Sequence, residues 1–194
     1  MRIAAILLAA GGGRRYGMPK ALARVDGRLL SERALDTLRS AGLAPIVAVI
    51  GASADAVRAA VDWGEVTLVE NADWATGMGS SLRAGLSALS TSAADAAVIL
   101  LVDTPGITPA AIVRVAEEAG AGDPTVALLA ASYGGRQGHP VLLGRAHWAG
   151  VAALAEGDTG ARPYLRSHAV ELRLIPCDDI ADPTDLDTPD PRRS

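Results

Sequence analysis

Apolar residues fall in blocks along this chain, and the blocks alternate between two periods. Residues 3–9, 44–50 and 96–102 are short, nearly continuous apolar runs, the pattern of strands covered on both faces of a sheet. Between and after them, residues 29–41, 54–61, 81–89 and 109–119 carry apolar positions at helical spacing. Gly42 ends the first of these helices, Ser53 is the expected N-cap of the second, and Thr108 followed by Pro109 is a strong start for the fourth. Further strands are expected at 66–69, 126–130 and 170–175, with a hairpin turning at Gly134-Gly135 across 133–143 and short helices at 145–154 and 159–167. Strands alternating with helices of this length predict an α/β fold, a three-layer αβα Rossmann-like arrangement with a mostly parallel sheet, as one domain over residues 1–194.

Ligands of such sheets bind beyond the carboxyl ends of the strands. Three stretches fall there: the loop after the first strand, the segment 70–81 (ENADWATGMGSS), and Asp103-Thr104-Pro105 after the fourth strand. The first loop contains Gly11, Gly12, Gly13 and Gly17, then Pro19-Lys20. Glycines let backbone N–H groups approach an anion, and Arg14, Arg15 and Lys20 add full charge. It lacks the Gly-Lys-Ser/Thr ending of a Walker loop, and Pro19 prevents a helix from starting directly at the glycines, as a dinucleotide fingerprint requires.

Composition singles out Lys20. The chain has 18 lysines and arginines, and Lys20 is the one lysine among them. A compact ammonium closing a phosphate-type loop serves as a point-charge anion binder. The net charge of −4 and the lack of long basic runs argue against nucleic acid as a partner. One cysteine, Cys177, excludes an internal disulfide framework and fits a cytoplasmic protein. No apolar run approaches the ~20 residues that span a bilayer, so no membrane association is expected.

Asp103 ends a buried strand, while Thr108 takes the following helix cap. A carboxylate facing a phosphate pocket calls for a bridging hard cation, and Mg²⁺ takes such oxygen ligands. In the tail, Asp178, Asp179, Asp182, Asp185 and Asp190 read as solvated surface charges. Asp187 is the best second metal ligand, provided the tail folds back over the crevice. Asn71, Gly77, Ser80 and Ser81 are candidate nucleotide contacts near a helix start, where amides bind anions. Trp74 and Met78 read equally as core. His139, before Pro140, is a candidate ligand contact.

These motifs together resemble the molybdenum cofactor nucleotidyltransferase-like (MobA-like) family. Leu8, Ala9, Ala10, Gly11, Arg15, Gly17 and Lys20 match its loop, and the similarity continues through NADWATGMGSSL, Asp103 with Pro105, GHPVLL, GDTGAR and DLDTPD. The resemblance implies transfer of a nucleotide from an NTP to a phosphorylated acceptor with release of pyrophosphate. It implies Arg15 and Lys20 as triphosphate binders and catalytic groups, with Asp103 and Asp187 as Mg²⁺ ligands. Leu8, Ala9, Ala10, Gly11, Gly12 and Gly13 would line the nucleotide. The Leu-Ala-Ala-Gly form is similar to the cytidylyltransferase branch, implying CTP as donor, molybdopterin as acceptor and a molybdoenzyme as client. His139 and Thr104 are the expected acceptor contacts; the family often has glutamine at the latter position. A guanylyltransferase or other small-acceptor transferase, a flavin-linked oxidoreductase and a non-catalytic pterin chaperone remain as alternatives.

Overall fold

The computed structural model describes residues 1–187; Asp190 lies outside the described residues. The chain opens with β1 (Ile3–Ala9), buried along its whole length. The glycine loop follows, then a two-residue hairpin, β2 (Arg24–Val25) with β3 (Arg28–Leu29), turning at Asp26-Gly27. Next come α1 (Leu30–Ser40), β4 (Ile46–Ile50), α2 (Ala54–Ala60), β5 (Thr67–Glu70) and α3 (Met78–Leu89). The second half contains β6 (Ala96–Leu101), α4 (Pro109–Ala119), β7 (Leu128–Tyr133), β8 (Arg136–Gly144), α5 (Trp148–Leu154), α6 (Arg162–Ser167) and β9 (Arg173–Pro176).

Seven strands form one sheet in the order β5-β4-β1-β6-β8-β7-β9. Every pairing is parallel except those of β8, which runs antiparallel to both neighbours. Strand parity assigns each face its core. Ala5 and Leu7 join Ala48, Ile50, Val98 and Leu100 under α1 and α4, while Ile6 and Leu8 join Val47, Val49, Ala97 and Ile99 under α3, α5 and α6. This is the expected three-layer, mostly parallel Rossmann-like fold. Because β1 lies between β4 and β6, the loops leaving β1 and β6 diverge at a topological switch point, where open sheets form their ligand crevice.

Several local expectations change. Ser53 takes the N-cap position of α2 but adopts a left-handed backbone, φ 53°, and its side chain makes no capping bond; Asp55 in the first turn still suits the helix dipole. Thr108 caps α4 as expected, accepting from Ala111 N at 3.3 Å. Helix α3 starts at Met78, three residues early, so Ser80 and Ser81 sit inside its first turn. The fifth strand and the hairpin are one unit, β7 with β8, and the last strand is shorter than expected. Among the described residues no helix is long and apolar enough to cross a membrane.

The tail after β9 is a strap. Cys177 N donates to Ser132 O, Gly134 N to Asp178 Oδ1 at 2.5 Å, and Arg114 grips both oxygens of Asp179 at 2.6 and 2.9 Å. Thr108 Oγ1 donates to Ile180 O, and Asp182 N to Gly106 O. Ile180, Ala181 and Leu186 pack on the core beside α4. Asp178 and Asp179 are therefore staples, not merely solvated charges. The strap ends where Leu186 N donates to Asp103 O at 2.9 Å, which brings Asp187 to the end of β6.

Candidate active site

A cleft of about 300 Å³ opens at the switch point. Leu8, Ala10, Gly11 and Gly12 form its floor, Lys20 and Asp103 one end, and Gly77, Met78 and Ser81 the α3 side. Among the described residues, the N–H groups of Gly11, Gly12 and Gly13 donate to no protein acceptor. The loop is braced by Gly17 N donating to Gly13 O at 2.8 Å. A row of unused amides beside a cationic side chain is an anion site in waiting.

Lys20 bridges the two carboxylates. Its Nζ donates to Asp103 Oδ2 at 2.7 Å and to Asp187 Oδ1 at 3.0 Å. Arg15 reaches the other Asp187 oxygen at 3.1 Å. The two cations differ in setting: the Lys20 side chain is 15% exposed and the Arg15 side chain 80%. Lys20 is thus a fixed wall of the cleft, and Arg15 stands at its rim. Burial works against the Lys20 charge, but hydrogen bonds and charges from Asp103 and Asp187 outweigh it and raise the ammonium above its ordinary pKa. Lys20, through hydrogen bond and charge, with Arg15 adding to it, holds the Asp187 carboxyl below its usual range.

Other expected residues fall into two groups. Gly77 packs so closely on the loop after α5 that a Cβ would overlap the Gly157 backbone, and its φ is +116°. Asn71 does not line the cleft. It is a buried clasp: Nδ2 donates to Ser80 Oγ at 2.8 Å and Ser81 Oγ at 3.0 Å, and Oδ1 accepts from Asp73 N. Ser80 is buried behind the wall, with its hydroxyl directed to Asp73 O and Gly77 O. Ala9 is sealed inside the sheet. Thr104 is buried and donates back to Leu101 O at 2.9 Å; it shapes the turn after β6 and lines neither the cleft nor the pocket beside it. His139 borders that pocket, beyond Met78 and Leu101.

Arg14 lines the cleft as the loop's charge suggested, Trp74 lines it as well, and the structure adds Asp158. Trp74 lies against Gly12 and Gly51, close enough that a Cβ on either would collide with the indole. Asp158 sits in the GDTGAR stretch, which sequence reading used only for the resemblance. Asp185 joins the acidic side. Loss of water and the Asp103 charge push its carboxyl above the usual range, Asp187 adds to this, and Lys20 and Arg162 oppose it.

The carboxylates gathered at Lys20 suit a hard divalent cation. Asp103 and Asp187 offer only oxygen, and two carboxylates with remaining positions for water or phosphate is a common Mg²⁺ arrangement. Among the described residues no group of three or more His, Cys, Asp or Glu forms a self-sufficient metal cage. A metal held here would be shared with a phosphorylated ligand.

The family model described as "MobA-like NTP transferase domain" matches residues 5–172. Nicotine blue oxidoreductase of Paenarthrobacter nicotinovorans is 36% identical over 96% of this chain and 92% of its own length. The crystal structure of Rv0371c from Mycobacterium tuberculosis superposes with a TM-score of 0.82 at 29% identity, covering 97% of this chain and 94% of that one. A manganese complex of Rv0371c superposes with a TM-score of 0.72 at 28% identity, over 91% and 88% of the two chains. With the family's domain spanning most of its length, and with a glycine loop, lysine and paired aspartates gathered at the strand ends, the chain belongs to the MobA-like NTP transferase family and is a nucleotidyltransferase.

Proposed function

We propose that the chain transfers CMP from CTP to the terminal phosphate of molybdopterin in the presence of Mg²⁺, releasing pyrophosphate. One observation carries this reading: Lys20 joins Asp103 and Asp187 at the mouth of a cleft floored by unused glycine amides. An acceptor phosphate oxygen attacks the α-phosphorus; the bond from that phosphorus to the bridging oxygen breaks, and pyrophosphate leaves. The reaction needs positioning and neutralisation of charge more than a protein base. The amides of Gly11, Gly12 and Gly13, with Arg14, Arg15 and Lys20, hold the triphosphate. In the free protein Lys20 neutralises the two carboxylates, and a triphosphate bound on the glycine amides would meet the same ammonium. A divalent metal held by Asp103 and Asp187 would neutralise charge on the reacting phosphates, and the manganese complex of the mycobacterial relative supports a divalent ion. The Leu-Ala-Ala-Gly loop supports CTP.

The test is a pyrophosphate-release screen crossing the four NTPs with phosphorylated acceptors, molybdopterin among them, with Mg²⁺. CTP with molybdopterin should give the fastest release. GTP leading instead would make the chain a guanylyltransferase, and fastest release with a different acceptor would remove molybdopterin.

A second reading has its own observation, the 36% identity to a protein named as an oxidoreductase. On that reading the cleft would hold a redox cofactor. The absorbance spectrum of the purified protein distinguishes them: a flavin band with no pyrophosphate formation would replace the transferase proposal.

A further inference from the structure

Three tryptophans occur in the chain. Trp63 and Trp148 are buried in the two cores, whereas Trp74 is half-buried and lines the cleft. Its indole is wedged between the loops that leave β1 and β4. A Cβ on Gly51 would stand 2.6 Å from Trp74 Cβ and 2.8 Å from Cγ, and one on Gly12 would stand 2.9 Å from Cζ3 and 3.1 Å from Cη2. Pressed by Gly51 at its base, the ring has no room to retreat from Gly12. Gly12 has no positive φ, so at this position it is the ring, and not the backbone, that requires glycine.

The glycine loop depends on that contact. The Ala10 carbonyl accepts from Ala52 N at 3.0 Å, and the Gly13 carbonyl from Gly17 N at 2.8 Å. Between those two carbonyls no backbone group forms a hydrogen bond among the described residues. Unbonded glycine backbone samples many conformations, and the ring packed on Gly12 restricts them. The ring is itself held. Trp74 N donates to Asn71 O at 3.3 Å and Gly77 N to Trp74 O at 3.1 Å, while the Asn71 side chain ties this segment to Asp73, Ser80 and Ser81. The clasp at the start of α3 therefore reaches the loop amides through one rigid side chain.

We propose that Trp74 is a positioning residue for polyphosphate: its indole holds the Gly11, Gly12 and Gly13 amides in the arc from which they donate to an anion. Amides already in place lose less conformational freedom when the anion arrives, so the ring adds affinity without adding charge. The inference rests on the triphosphate part of the transferase reading and is independent of base and acceptor.

Isothermal titration of the full chain with magnesium tripolyphosphate, which lacks base and ribose, tests it. Trp74→Leu should weaken binding about 10-fold, comparable with losing one charge-assisted hydrogen bond, and Trp74→Tyr, which keeps an aromatic ring, should recover most of it. Gly12→Ala should weaken binding by a similar factor beside the intact ring, and by about 2-fold or less in the Trp74→Leu background, the signature of two groups in contact. Tripolyphosphate does not absorb in the near ultraviolet. It should shift tryptophan emission in the wild type and not in Trp74→Tyr, because Trp63 and Trp148 lie in the cores. Wild-type affinity in Trp74→Leu, additive losses in the double variant, or no tripolyphosphate binding by the wild type would overturn the inference. Should Trp74→Leu fail to fold, Gly12→Ala and the emission shift decide: wild-type affinity in Gly12→Ala, or a shift that survives Trp74→Tyr, would overturn it as well. Affinity unaffected by these substitutions, with pyrophosphate still released, would leave the proposed reaction standing. Ring-dependent tripolyphosphate binding with no pyrophosphate release from CTP and molybdopterin would do the reverse.

Discussion

Lys20 Nζ lies 2.7 Å from Asp103 Oδ2, a contact between residues 83 positions apart that ties the loop after β1 to the end of β6. It closes the switch point with a charge pair, and Asp187, arriving from the tail, completes a three-residue cluster.

Replacing either acid by its amide keeps the shape and removes the charge. Asp103→Asn and Asp187→Asn should each lower turnover by about 100-fold, a typical loss for one charge-stabilising group, and raise the metal concentration needed for half-maximal rate. Melting curves and a metal titration of pyrophosphate release check both; an unchanged metal requirement would separate these acids from the metal.

The strap gives a prediction away from the cleft. A Cβ on Gly106 would stand 2.5 Å from Asp182 O, in a stretch where Asp182 N donates to Gly106 O. Gly106→Ala should therefore lift the strap, withdraw Asp187 and reduce turnover about 10-fold, with loss of about 1 kcal/mol or less from the single hydrogen bond. Activity measured beside denaturant unfolding tests this separation. Equal turnover in the variant would show that Asp187 is not delivered by the strap.

The same strap should respond to acid. The Asp179 carboxyl sits below its ordinary value of 3.8, chiefly through its hydrogen bond to Arg114. A group with a depressed folded pKa contributes stability above its unfolded value and loses it as pH falls through the folded one. Wild type should exceed Asp179→Asn in melting temperature near pH 6, and the difference should shrink below pH 3.8. A gap that persists in strong acid would contradict the ion pair's role.

Asn71 offers a test of clasp against contact. Its side chain satisfies Ser80, Ser81 and Asp73 N while buried. Asn71→Ala should cost about 1–3 kcal/mol of folding stability, the usual penalty for stranding buried polar groups. Chemical denaturation measures this. Wild-type stability with a raised KM for CTP would instead make Asn71 a direct nucleotide contact.

The α/β order was legible because β1, β4 and β6 are apolar from end to end, which leaves few arrangements besides a covered parallel sheet. The pairing of Lys20 with Asp103 joins two residues that stood out in sequence because each ends a motif and neither has a competing structural task there. That Asn71 and Ser80 bond one another could not be read in sequence, since polar residues near a helix start look alike whether they meet a ligand or one another. The same holds for Thr104, whose hydroxyl finds a carbonyl three residues back. The side pocket was invisible because it joins β6, β8 and α6, and no local pattern reports that Gln137 and Arg162 border one space. Asp187 depended on the strap, whose Arg114 to Asp179 staple links residues 65 positions apart.

The most direct measurement is pyrophosphate release from CTP and molybdopterin with Mg²⁺, for the wild-type chain and Lys20→Ala side by side. Wild type should release pyrophosphate only when both substrates are present, and Lys20→Ala, folded by circular dichroism, should do so about 100-fold more slowly or worse. Equal rates in the two proteins, or no pyrophosphate from wild type with any NTP and phosphorylated acceptor, would contradict it.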